Sequence, residues 1–223
     1  MIRTPDLENA AIRATQLLIS KQITETPVNA LSILLGRDDV RVMPFTKVAL
    51  GAGMARHDLV PMFDANQDAA TFHLSIPDME EVNYVVVYNM RLPHEIIRRG
   101  IARELGHIVL GHDGTTRAKE ARFAEAMAFA HHLLSPRPVI RLLQESGMPL
   151  TMNVLTQTVG CSDDCVDDIR RIPGIRVPVD MNAQVKSQFE RGIREYIRFH
   201  ISSPIPDKSP ILDLGTYMDN YEE

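Results

Sequence analysis

The residues of this 223-residue chain with the clearest potential for chemistry lie in ARELGHIVLGH, positions 102–112. Glu104 and His107, three apart, form the second half of the pattern H-E-x-x-H. In the full pattern two imidazoles four residues apart share one helix face and reach a single zinc ion. The glutamate beside the first then acts as general base on the metal-bound water. Position 103, where the first imidazole belongs, is Arg103. Taken alone E-x-x-H is weak, because that spacing recurs by chance in many helices. A histidine on a core-facing helix is more often an inert, hydrogen-bonded group than a ligand.

The neighbouring residues add weight. ELGHIVLGH is followed by an alanine-rich stretch carrying EAMAFA and then by LLSP. This series resembles the ImmA/IrrE family of zinc metallopeptidases, zincin-like proteins in which an AHELGH-type helix precedes E-A-N-x-F-A and then L-L-M-P. The likeness is strong over residues 84–136. It is looser over 149–171, where VLTQTVGCS stands for an LAxxFGVS-like stretch, and the first eighty residues follow only the order of elements. The resemblance implies His107 and Glu125 as zinc ligands, Glu104 as catalytic base and zinc as cofactor. The implied reaction is cleavage of a DNA-binding repressor of a mobile element or stress response. The chain departs from the pattern at Arg103 for histidine, Met127 for asparagine and Ser135 for methionine.

Arg103 leaves several readings open. Two ligands are fewer than the three protein ligands of catalytic zinc sites, and an arginine sets a fixed positive charge beside a dication. His112, five residues after His107 and beyond Gly111, and His132, seven after Glu125 on the same helix face, are chemically competent substitute ligands. For each, a surface histidine or one bonded to a ligand is the commoner reading. In the opposite reading Arg103 does the cation's work, forking onto Glu125 or Glu104 so that no carboxylate is stranded. The product is a non-catalytic pseudopeptidase that keeps the fold and recognises a protein partner. A third reading is a DNA-binding regulator built on residues 149–171. Asp163, Asp164, Asp167 and Asp168 would repel phosphates there, so direct contact with nucleic acid is disfavoured. Arg98 and Arg99 read as solvent-facing. Cys161 and Cys165 in GCSDDC match neither a metal knuckle nor a disulfide framework, and read as incidental thiols.

The elements that must position these groups follow from periodicity. Residues 6–20 space their apolar positions as an amphipathic helix. A second helix is expected over 27–35, with Thr26 as cap, Pro27 in its first turn and Gly36 at its end. Residues 40–45 read as extended and 46–70 as loop. Ala70–Ile76 and Val82–Tyr88 form an antiparallel pair, VNYVVVY being apolar on both faces as a central strand is. Helices follow over 93–110, ended by Gly111, and over 117–134, ended before Pro136. Residues 149–171 resemble a helix-turn-helix, 182–199 form another helix, and the tail is extended.

The expected fold is α+β: a zincin-like helix pair packed on a small, mainly antiparallel sheet, with additional helices. Residues 1–136 are expected to form the core, 137–200 a helical C-terminal part, and 201–223 the tail. A net charge of -5 gives bulk electrostatics no pull toward nucleic acid or anionic membrane. No run of eighteen apolar residues and no signal-peptide pattern is present, so the chain reads as cytoplasmic.

Overall fold

The computed structural model describes residues 4–51, 67–73, 84–112, 118–160 and 175–202. Helix α1 spans Leu7–Ser20, capped by the Asp6 side chain, which accepts from the Asn9 amide. Its buried face is Ala10, Ala11, Ala14, Thr15 and Leu18. Helix α2 is shorter than the sequence suggests, Ala30–Leu35. Asn29 rather than Thr26 supplies the cap, accepting from the Ser32 amide, and this sets the helix start after Pro27. Gly36 ends it as expected.

Strand β1, Val40–Pro44, leads directly into helix α3, Phe45–Gly51, where a loop was expected. Strands β2, Ala69–His73, and β3, Tyr84–Tyr88, are antiparallel, with Ala69 opposite Tyr88 and His73 opposite Tyr84. The β1 strand pairs parallel to β3, Val40 facing Tyr84, so the sheet is mixed and its order is β1-β3-β2. β3 is the central strand, which is why it is apolar on both faces. Val86 joins the main core while Val87 packs on Met43, Phe45, Val48 and Ala70 around α3.

Two sixteen-residue helices carry the informative motifs: α4, His94–Val109, and α5, Lys119–Leu134. They pack tightly at Gly106, where an added Cβ would lie 3.0 Å from Phe129 Cδ1 and 3.1 Å from the Ala126 carbonyl oxygen. Ile101, Leu105 and Ile108 on α4 are buried, Leu105 completely. Beyond Pro136, α6 (Arg137–Glu145), α7 (Met152–Val159) and α8 (Val179–Ser202) complete the described chain. The left-handed Gly160 ends α7. The other half of the helix-turn-helix-like segment, with both cysteines and the aspartate pairs, lies outside the described residues, as does the tail.

One hydrophobic cluster runs from α1 through β3, α4 and α5 to Val185, Phe189 and Ile193 on α8. Among the described residues, no helix is long and apolar enough to cross a membrane.

Candidate functional site

Helices α4 and α5 and strand β2 enclose a cleft of about 1250 Å³. Arg103, Glu104, His107 and His112 line it, with Asp68 and Thr71 from the β2 side and Phe123 from α5. Glu104 and Glu125 are buried, at 4% and 2% exposure, so each carboxylate requires a partner within the protein.

Glu104 finds its partner in Arg103. Nε and Nη2 of the guanidinium both donate to Glu104 Oε1, at 3.0 and 2.5 Å. Nη1 pairs with Asp68 Oδ1 at 2.9 Å, and Nη2 also donates to the Ala69 carbonyl at 2.9 Å. The Arg103 side chain is 12% exposed. Burial works against its charge, but Glu104 and Asp68 outweigh that and raise its pKa above the ordinary value. Asp68 comes this close because Gly100 has no side chain: a Cβ there would lie 2.7 Å from Asp68 Cγ. The ring of Phe123, 51% exposed at the lip of the cleft, lies 5.5 Å from the guanidinium carbon.

Glu125 is held by a separate set of bonds. Its Oε1 accepts the Asp6 amide at 2.8 Å, and its Oε2 lies 2.8 Å from His112 Nε2. The other nitrogen of His112, Nδ1, lies 3.0 Å from His107 Nδ1. Burial first, then the influence of His112, Arg103 and Arg122, pushes the His107 pKa down to about 4. It is therefore neutral at pH 7.

His107, Glu125 and His112 thus come together, with Glu104 beside them across Arg103. His132 does not join them. It faces a small cavity between α1, α6 and α8, lined by Thr15, Leu18, Arg137 and Val185. Nor are Arg98 and Arg99 solvent-facing: both are half-buried, Arg99 on the cleft and Arg98 against Gly160. Asp68 and the Asp6 amide were absent from the sequence reading. Asp68 is brought in by tertiary packing from a stretch without a local signal, and Asp6 from the start of α1, whose apolar spacing marks a helix but not its pairing with Glu125.

The residues present do not fit a zinc ion. Each nitrogen of His112 and each oxygen of Glu125 already faces a protein group, so these side chains form a chain of hydrogen bonds and converge on no common centre. Arg103 and Arg122 both make the electrostatic environment of His107 positive, which opposes a dication. Among the described residues, no group of three or more histidine, cysteine, aspartate or glutamate side chains is disposed to hold a metal.

Comparison with known proteins gives one family match. Residues 59–157 match the family model described as the IrrE N-terminal-like domain, Peptidase_M78. No curated protein and no solved structure matches the chain. The matched span contains β2, β3, α4, α5, α6 and nearly all of α7, and with them Asp68, Arg103, Glu104, His107, His112 and Glu125. Over residues 59–157, less than half of the chain, the sequence is thus similar to the IrrE N-terminal-like domain.

Proposed function

We propose that this protein is a non-catalytic relative of the ImmA/IrrE metallopeptidases that keeps the cleft and uses it to bind a protein partner, a repressor-like regulator, in the cytoplasm. The observation that carries this reading is the engagement of Arg103 with Glu104. The carboxylate in the general-base position directs Oε1 at a guanidinium instead of at a water in the cleft.

What remains suits recognition. Among the described residues β2 is an edge strand of the sheet order β1-β3-β2, and it contributes Ala70, Thr71 and His73 to the cleft wall, beside an exposed aromatic ring at Phe123. An extended peptide segment can pair with such an edge while a side chain packs on the ring. A competing reading, an active zinc peptidase with His112 as third ligand, draws on the contacts of His112 with both His107 and Glu125. It requires both of those bonds to be given up for metal.

The purified chain, co-expressed with a repressor-like regulator, is expected to bind without cleaving it. Phe123→Asp is expected to weaken binding at least tenfold by calorimetry. Cleavage that disappears with chelator and with Glu104→Gln would establish the peptidase reading instead.

A further inference from the structure

We infer that His112 is a positioning residue that does mechanically what a metal would do: its imidazole joins His107 to Glu125 and closes the two family ligand positions into a metal-free hydrogen-bonded chain. The inference rests on the non-catalytic reading and goes beyond it, because Arg103 accounts only for Glu104 and Asp68.

The placement of His112 follows from the way α4 ends. Gly111 takes the left-handed conformation, φ 66°. Its amide donates to the Ile108 carbonyl at 3.2 Å, and the His112 amide donates to the His107 carbonyl at 2.9 Å. These are the two bonds of a Schellman ending, which folds the residue after the glycine back onto the residue five before it. Here that pair is His112 and His107. The rings meet edge to face, 5.1 Å between centroids. The helix stop and the bridge are one structure.

The hydrogen bonding has one self-consistent protonation pattern with both rings neutral. Glu125 can only accept, so His112 donates from Nε2–H. Its Nδ1 is then a lone pair, and His107 donates to it from Nδ1–H. His107 Nε2 is left as an acceptor. The His112 and Glu125 side chains are each 2% exposed, so little water competes for these bonds.

Long-range proton–nitrogen NMR of the full chain tests this directly. The expected spectrum shows His112 protonated on Nε2 and His107 on Nδ1, unchanged by excess chelator. His112→Ala should move His107 toward the Nε2–H form and lower the melting temperature by roughly 4–8 °C. His112→Gln should recover part of that loss, since its amide can still donate to Glu125. Where His112→Ala does not fold, the tautomers of the parent decide. His112 protonated on Nδ1 would overturn the bridge. So would stoichiometric zinc in the parent with chelator-dependent melting that His112→Ala abolishes, which would make His112 a ligand. Repressor cleavage with the expected, chelator-insensitive tautomers would overturn the functional reading and leave the bridge standing. Reversed tautomers without cleavage would do the opposite.

Discussion

Asp68 and Arg103, 35 positions apart in sequence, meet as a buried ion pair with Oδ1 and Nη1 2.9 Å apart. The pair ties the residue just before β2 to the middle of α4, and the same guanidinium serves Glu104. Removing it strands two nearly buried carboxylates. Arg103→Ala is expected to cost about 3 kcal/mol in chemical denaturation, the low end for a broken buried pair because Arg103 retains some exposure. Arg103→His should instead make the melting temperature rise with added zinc, because it exchanges a cation for a donor one turn before His107. Wild-type stability of Arg103→Ala would show that these carboxylates do not need the guanidinium.

Leu105 lies on the opposite side of α4 from the cleft and is completely buried. Leu105→Ala should lose roughly 2–5 kcal/mol, from lost transfer energy and the cavity left behind. Wild-type melting of the variant would mean that this face of α4 carries no packing load.

Gly106 sets two effects against each other. Alanine is the better helix former by about 1 kcal/mol. Its Cβ, however, would lie 3.1 Å from the backbone oxygen of Ala126, which cannot swing aside as a side-chain tip can. Forcing α4 and α5 apart costs about 1–3 kcal/mol. Gly106→Ala is therefore expected to melt below the parent, and Gly106→Val lower still. A higher melting temperature for Gly106→Ala would show that the interface gives way cheaply.

His132 sets an acid limit on stability. Burial first, then Arg137 and His131, push its pKa down to about 3, against an ordinary value of 6.5. Between those values the unfolded chain binds a proton that the folded chain refuses. Its effect on stability is therefore absent above pH 6.5 and grows as pH falls toward 3. At pH 5 the loss is on the order of 2 kcal/mol. His132→Leu should lose less stability than the parent between pH 7.5 and pH 5, measured by urea titration at each pH. Equal losses would show that His132 is protonated in the folded chain.

The parts of this structure legible in the sequence are those written in local pattern. The apolar rhythm of Ile97, Ile101, Leu105 and Ile108, followed by Gly111, fixes α4 and its end. The two-sided apolar run of β3 marks a central strand. Glu104, His107 and Glu125 could be singled out because a motif on two successive helices carries them. Asp68 could not, because it lies in a stretch rich in glycine, alanine and aspartate with no periodicity. What recruits it is the missing side chain of Gly100. The parallel pairing of β1 likewise depends on a crossover that no local spacing records. His112 stood in between: it was visible as a competent imidazole, but its orientation is set by backbone bonds of the helix ending.

The bond from the Asp6 amide to Glu125 closes a loop of 119 residues. During synthesis α1 leaves the ribosome well ahead of α5, with the small apolar face of Ala10, Ala11, Ala14 and Leu18 complete but its partner not yet made. At ordinary elongation rates that wait is on the order of ten seconds, far longer than a helix needs to form. The ends of the loop must then find each other against a closure entropy that local contacts do not offset. Completion of the site is thus a late event in the life of the nascent chain, and α1 waits undocked until α5 follows it.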